Sequence, residues 1–239
     1  MTPTRPSSTK RADRAPAYAD WLNWMRSTSA PSKEINYFSS IPWAKQLLHY
    51  SNFRPIPTPS RTIDPGTTNN AFFAKTLAPS ESIPSPIINW LLLVKERLQT
   101  PPEAPKGTIG RTSGSGDGIA ARKAVDSDFI LLLNLGSDLD GFGGVAHGGL
   151  LSAVFDELFS LVVEFHRQSV TEDRGPLFTM KLTTLFRDKV PTPGQVMVKA
   201  WLQAREGRKW LLQGQLCDEK ENVLTEGEGI WMTAKSERI

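Results

Sequence analysis

A chain of 239 residues with 39% hydrophobic and 22% charged side chains can bury a sizeable core, which excludes disorder throughout and fibrous folds. The single cysteine, Cys217, excludes a disulfide framework and a cysteine-type zinc site, and it favours a reducing compartment. The longest apolar run, Ile87 to Val94, is broken by Asn89 and is far shorter than the roughly 20 residues of a membrane span. We therefore expect a soluble intracellular protein with neither a bound metal nor a cofactor.

The two halves of the chain differ in charge and in proline content. Residues 1–127 have a net charge of +7 and hold 15 of the 18 prolines, whereas residues 128–239 have a net charge of −4. We predict a disordered basic N-terminus at 1–16, a Pro-rich helical extension with a Gly-rich loop at 17–127, and the main domain at 128–239.

The first sixteen residues are basic and rich in Ser and Thr, as a mitochondrial presequence is. Pro3, Pro6, Pro16 and Asp13 would interrupt the amphipathic helix that such a presequence forms. A cytoplasmic location is therefore preferred to a mitochondrial one.

The extension holds short apolar segments separated by proline. We predict helices at 18–26, 41–50 and 87–98, a short apolar element at 71–78, and an extended connection over 54–66, which contains four prolines. Because these segments are too sparse to build a core of their own, we expect their aromatic residues to pack against the second half.

The segment from Lys106 to Asp128 contains the sequence GTIGRTSGSGDG, which invites comparison with a phosphate-binding loop. No apolar strand precedes it, no Gly-Lys-Ser/Thr ends it, and its glycines lack the spacing of a dinucleotide fingerprint. We expect a loop that could cover a site, and no nucleic acid partner.

The second half reads as strand, helix, then four strands. Strand-like runs lie at 129–135, 177–186, 195–204, 209–217 and 223–232, and a long helix is predicted at 148–166. This order predicts an α+β fold in which an antiparallel sheet of five to six strands curls around one central helix.

Apolar side chains occupy most of the circumference of that helix, so it must be buried nearly all round. One stripe differs, because small and polar residues recur along it at helical spacing and surround a carboxylate: Gly149, Ser152, Ala153, Asp156 and Ser160. Asp156 beside Glu157 could be an ordinary surface residue. The glycine-rich helix start, GFGGVAHGGLL, favours function, because it leaves backbone N–H groups ready to bind an oxyanion.

The stretch Gly144-Val145-Ala146-His147-Gly148-Gly149, with Asp156 seven residues after Gly149, resembles the signature of the hotdog-fold acyl-CoA thioesterases. The Gly207-Arg208-Lys209 turn and the closing strand are similar to the end of those domains. The resemblance covers about residues 128–235 and implies a homodimer that hydrolyses an acyl-CoA or another acyl-pantetheine, in the area of fatty acid metabolism.

By this resemblance the backbone N–H of Gly148, with His147 beside it, donates to the thioester carbonyl, and Asp156 acts as general base or as nucleophile. Thr179 is the closest match to the hydroxyl that places the water, with Thr183 or Ser160 as alternatives. Gly149, Ser152 and Ser160 would contact substrate, and Arg208 and Lys209 are candidates for the phosphates of coenzyme A. Relatives often have Asn or Gln where this chain has Gly141, which leaves a second oxyanion donor unassigned; neighbouring Asp140 is an acceptor at pH 7.

Helix geometry gives an independent expectation about assembly. Gly148 and Asp156 are eight residues apart, or about 12 Å along one helix axis, and both must approach one carbon within roughly 3–3.5 Å. Two antiparallel helices from two subunits satisfy this requirement, so a dimer, or a dimer of dimers, is expected. A non-catalytic acyl-CoA-binding module and a hydratase or dehydratase of the same fold stay open as alternatives.

Overall fold

The computed structural model describes residues 18–62, 73, 86–110, 118–171 and 175–234. The N-terminus predicted to be disordered, and all of the apolar element at 71–78 except Phe73, lie outside the described residues. Of the helices in the described part, none is both long enough and apolar enough to span a bilayer.

Five helices and nine strands make up the described structure. The helices are α1 (Tyr18–Ser27), α2 (Ser32–Ser39), α3 (Pro42–Leu48), α4 (Pro59–Thr62) and α5 (Gly148–Val170). The strands are β1 (Phe53–Ile56), β2 (Ile87–Lys95), β3 (Phe129–Leu135), β4 (Asp140–Phe142), β5 (Val145–Ala146), β6 (Leu177–Phe186), β7 (Gly194–Glu206), β8 (Lys209–Cys217) and β9 (Val223–Thr233). Two short 3-10 turns lie at Ala124–Asp126 and Ser137–Leu139.

Seven strands form one antiparallel sheet in the order β1-β2-β3-β7-β8-β9-β6, and β4 and β5 form a separate small hairpin. The sheet packs against α5 through β6, β7, β8 and β9. A large antiparallel sheet around one long helix is the hotdog architecture that the sequence predicts. It has seven strands rather than five or six, because the first half of the chain adds two.

Helix α5 sits unusually close to the sheet because two strands present glycine beneath it. A side-chain carbon at Gly227 would lie 2.8 Å from the Phe155 ring, and one at Gly214 would lie 2.9 Å from Phe159. The two phenyl rings therefore rest on bare backbone. Both are fully buried in the main hydrophobic core between α5 and the concave face of the sheet.

The helix predicted over Ile87–Leu98 is wrong, because residues 87–95 form strand β2. Short apolar runs that are buried on every side have no periodicity that separates a strand from a helix. Strand β2 lies between β1 and β3, with Trp90, Leu92 and Val94 in the core beneath α5 and Leu91 and Leu93 on the opposite face. Burial of both faces explains the unbroken apolar run from Trp90 to Val94.

The N-terminal helices cover both sides of this end of the sheet. Leu22 and Met25 of α1 join the core around α5, and the Arg26 guanidinium lies 5.3 Å from the centre of the Phe165 ring. Helices α2 and α3 pack on the convex face, where Phe38 and Leu47 contact a second apolar cluster formed by β2, β3 and β7. The contacts of the extension are thus with the sheet and with α5.

These contacts predict that residues 17–105 do not fold separately from the rest of the chain. Phe38 is fully buried between α2 and the sheet, so Phe38→Ala should lower the free energy of unfolding by about 3–5 kcal/mol. Urea unfolding followed by far-UV circular dichroism should show one transition in both proteins. Release by limited proteolysis of a soluble, folded fragment that ends near residue 105 would contradict the prediction.

Candidate active site

Helix α5 begins at a tight loop that leaves one backbone donor free. Gly149 N–H donates to His147 Nδ1 over 3.0 Å, and the N–H groups of Leu150 and Leu151 donate to the carbonyl oxygen of His147. Among the described residues, nothing accepts the N–H of Gly148. This free donor at the positive end of the helix dipole is suited to bind a carbonyl oxygen or an oxyanion.

The loop before α5 is held by Asp140. Its carboxylate accepts hydrogen bonds from the Thr192 hydroxyl and, over 2.7 Å, from Gly144 N–H. These two donors, the hydroxyl first, hold the pKa of the Asp140 carboxyl below its usual range. Because Gly144 has a φ of 78°, in the region that favours glycine, the turn that leads to His147 depends on this residue.

The carboxylate of Asp156 lies two turns further along α5 and contacts strand β6. The Thr179 hydroxyl donates to Asp156 Oδ1 over 2.8 Å, and no other described residue donates to either oxygen. Asp156 is half-buried and Thr179 is exposed, so a small molecule can reach the pair. A carboxylate with one fixed donor and a free oxygen can take a proton from water or attack a carbonyl carbon.

The two serines of the predicted stripe have their hydroxyl protons engaged within the protein. Ser152 Oγ donates to the Gly148 carbonyl and lies 2.9 Å from the Thr184 hydroxyl. Ser160 Oγ donates to the Asp156 carbonyl and accepts from Trp231 Nε1 over 3.0 Å. Both serines therefore tie α5 to the sheet on either side of Asp156.

Strand β6 is an edge of the sheet, and most of its side chains are exposed. Four of its large apolar residues are 39–55% accessible: Phe178, Met180, Leu185 and Phe186. Its pairing with β9 shifts between Thr179 and Lys181, so that two residues, Thr179 and Met180, stand opposite Trp231. Such bulges commonly occur beside active sites, where they redirect side chains.

The two halves of the predicted site contact opposite ends of β6. Asp156 is bonded to Thr179 near the start of the strand. At the other end, a side-chain carbon added to Gly148 would lie 2.9 Å from the Phe186 ring. Within one chain the structure therefore brings Asp156 to Thr179, and Gly148 to His147 and Gly149, as two separate groups.

The predicted phosphate-binding residues Arg208 and Lys209 lie at the hairpin between β7 and β8. Arg208 Nη1 donates to the Thr233 carbonyl over 2.7 Å, and Lys209 Nζ lies 3.4 Å from the Ile109 carbonyl. Their cationic ends are thus next to carbonyls of their own chain. Neither side chain contacts Asp156 or Gly148 in the described structure.

The other histidines contact neither group. His166 is buried and lies between Asp128 and Thr100, at 3.0 and 2.9 Å, and His49 Nδ1 lies 2.7 Å from the Lys45 carbonyl. Across residues 18–62, 73, 86–110, 118–171 and 175–234, no group of three or more His, Cys, Asp or Glu side chains is arranged to hold a metal ion.

Sequence reasoning missed three residues of this region: Thr184, Phe186 and Trp231. Each contacts α5 from a strand, and which residue of a strand meets a given helix residue depends on register. No local pattern in the sequence gives that register across the bulge in β6.

No protein-family model matches the chain. A curated relative, verlamelin biosynthesis protein B of a Lecanicillium species, is 22% identical over 130 residues, which make up 54% of this chain. The match spans 48% of that protein, about half its length.

Parts of the chain also resemble solved structures. A zebrafish thioesterase superfamily member 2 is 10% identical with a TM-score of 0.40, and the match covers 44% of this chain and 74% of that one. A Staphylococcus aureus protein in complex with CoA is 14% identical with a TM-score of 0.37, and the match covers 43% of this chain and 67% of that one. At these values the likenesses support no activity, and the CoA belongs to the Staphylococcus aureus protein. Some of the solved structures that the chain resembles are named as thioesterase-superfamily proteins. Membership of the His-Gly-Gly group stays a prediction.

Proposed function

We propose that this protein hydrolyses the thioester bond of an acyl-CoA or of another acyl-pantetheine. The observation that carries the proposal is the half-buried Asp156 carboxylate, aimed by the Thr179 hydroxyl at an accessible edge of an otherwise apolar helix. Among the residues that the structure describes, this carboxylate makes one hydrogen bond and no ion pair. The free N–H of Gly148 supplies the complementary group, a donor for the carbonyl oxygen.

The chemistry needs few groups. In the general-base route Asp156 takes a proton from water, the water oxygen bonds to the thioester carbon, and the carbonyl oxygen gains negative charge against Gly148 N–H. When the carbon–sulfur bond breaks, the thiolate leaves with the bonding electron pair and takes up the proton, so the products are an acid and a thiol. In the alternative route the Asp156 carboxylate attacks the thioester carbon and the thiolate leaves, which gives a mixed anhydride. Water then hydrolyses the anhydride, so that the acid is released and the Asp156 carboxylate is restored. One oxyanion donor contributes about 10²–10³ in rate.

The proposed site needs two subunits. Gly148 and Asp156 contact opposite ends of β6 and stand about 12 Å apart along α5. A two-fold axis that sets two copies of α5 antiparallel brings Asp156 of one copy beside Gly148 of the other. We therefore include a homodimer in the proposal, with two equivalent sites at the interface.

The open edge of β6 suits this dimer. A ten-residue edge strand that exposes Phe and Met aggregates unless something pairs with it. Leu182, Thr184 and Phe186 face α5, whereas Lys181, Thr183 and Leu185 line a shallow cleft on the convex face. Antiparallel pairing of two copies of β6 centred on Thr183 puts like faces together and sets Met180 and Thr179 of each copy near Phe186 of the other.

We propose Asp156 and Gly148 as the catalytic residues and Thr179 as the residue that orients the carboxylate or its water. His147 lies beside Gly148. The same proposal places Gly149, Ser152 and Ser160 beside the substrate, and Arg208 and Lys209 at the phosphates of coenzyme A. It also includes a cytoplasmic location.

Asp156→Asn should reduce kcat by at least about 10³, because the amide cannot take the proton or attack the carbon. The fold and the assembly should be unchanged, since the amide oxygen can still accept from Thr179. Release of thiol from a panel of acyl-CoAs, followed with a thiol reagent, measures the change. The enzyme's own thiol should contribute little, because burial raises the pKa of Cys217 to about 11.

Thr179→Val is the matched variant, since it keeps the shape and removes the donor, and a smaller loss of kcat is expected from it. Turnover by purified Asp156→Asn close to that of the wild type would overturn the assignment. Acyl-CoA binding by calorimetry with no cleavage of any substrate would favour a non-catalytic module.

Thr183→Cys should form a covalent dimer under mild oxidation. Directly opposed Cα atoms in an antiparallel pair lie about 4.5–5.5 Å apart, within the range of about 4.4–6.8 Å that a disulfide bridges. Non-reducing electrophoresis measures the product. Thr184→Cys is the control, because Thr184 faces Ser152 of its own chain. A monomer in solution, or equal cross-linking of both variants, would contradict the pairing.

Two inactive variants should restore activity when they form a heterodimer, if each active site takes residues from both subunits. A heterodimer of Asp156→Ala with Gly148→Pro holds one site with both changes and one intact site, so about half of the wild-type activity should return. Proline is tolerated at the first position of a helix, although the Phe186 ring must turn aside. Folded heterodimers without activity would show that both groups act within one chain.

A further inference from the structure

The imidazole of His147 is held over the start of α5 by its own backbone neighbours. Its Nδ1 accepts the Gly149 N–H over 3.0 Å, so His147 is the N-cap residue of the helix. The main chain of the same residue is fixed as well, because His147 N–H donates to the Leu139 carbonyl over 2.8 Å. The ring therefore has one defined position beside the free N–H of Gly148.

This hydrogen bond decides which ring nitrogen carries the proton. A backbone N–H can only donate, so Nδ1 must offer its lone pair, and a neutral His147 must carry its proton on Nε2. Nε2 has no partner among the described residues, and the side chain is exposed. His147 is thus built as a hydrogen-bond donor beside Gly148, and its Nε2 has no free lone pair with which to act as a base.

Glycines make room for the ring on two sides. A side-chain carbon at Gly149 would lie 3.1 Å from Nδ1 and Cε1 of His147. One at Gly141 would lie 3.1 Å from His147 Cα and 3.4 Å from Cδ2 of the ring. The imidazole thus packs over the position where an amide side chain at residue 141 would begin.

We propose that His147 Nε2–H is the second oxyanion donor of this site and acts together with Gly148 N–H on the thioester carbonyl oxygen. The proposal rests on the proposed function, and it assigns to His147 the donor that Gly141 cannot supply. Two donors that are fixed before substrate arrives stabilise the charge that develops on the oxygen without further reorganisation.

Two variants separate this role from helix capping. Asn and Ser both accept from the backbone as N-cap residues. The Asn amide carries a separate N–H donor beyond its capping oxygen, whereas the only donor of Ser is the O–H on the capping oxygen itself, which falls short of the position of His147 Nε2. We expect His147→Ser to lose about 10²–10³ in kcat with a KM changed only a few-fold, because the interaction strengthens in the transition state. His147→Asn should retain kcat within about tenfold of the wild type, and both variants should keep the melting temperature and the dimer.

Full kcat in His147→Ser would show that the residue is only a cap. The pH–rate profile gives a second check, because a donor needs no loss of a proton. The profiles of wild type and His147→Asn should have the same shape. An acid limb that is present in the wild type and absent from His147→Asn would indicate a base and overturn the assignment.

A spectroscopic readout does not depend on turnover. The protein labelled with 15N-histidine has three imidazoles, and His147→Ser identifies the signal of His147 by its loss. At pH 8 the shifts should show a protonated Nε2 and an unprotonated Nδ1, whereas the opposite tautomer would overturn the proposal. Failure of the wild-type protein to cleave any thioester would instead reject the proposed function, and the tautomer measurement still tests the geometry.

Discussion

Helix α5 is apolar around almost its whole circumference, and water is kept from it only if the sheet curves about it. This burial requirement sets most of the structure. Gly214 and Gly227 let Phe159 and Phe155 approach the strands, and the N-terminal helix α1 covers the far end of α5 through Leu22 and Met25. Along the stripe of small and polar residues that faces β6, the helix is only partly covered by the rest of the chain. The carboxylate lies on that stripe.

The first half of the chain completes the domain by an unusual route. It places α2 and α3 on the convex face and contributes β1 and β2 to the sheet, so that β2 and β3 are buried on both sides. The segment before β3 continues the cover, with Ile109 packed on Leu211 and Ile230 of the same face. The basic, Pro-rich first half of the chain therefore forms and covers part of the sheet that holds the candidate site.

Much of this could be predicted from the sequence, for physical reasons that are specific to each element. The pattern of α5 and its glycine start are local features, as is the alternation of β7, which places Val196, Val198 and Ala200 in the inner core. The choice of Thr179 as the neighbour of Asp156 agrees with a contact of 2.8 Å, although its role is untested. Strand β2 could not be predicted from its own residues, because both of its faces are buried only after helices from distant parts of the chain have packed on the sheet. The ring of Phe186 over Gly148 depends on the register of β6, which no short segment encodes.

The proposed pairing of two copies along β6 has a consequence for how the proposed activity would depend on the amount of protein. A site assembled from two copies exists only while they are associated, so mass action governs the fraction of chains that can work. Specific activity would then fall on dilution below the dissociation constant of the dimer and recover on concentration. A ligand that bridges the two copies would hold them together. Substrate itself would then promote assembly of the site that consumes it.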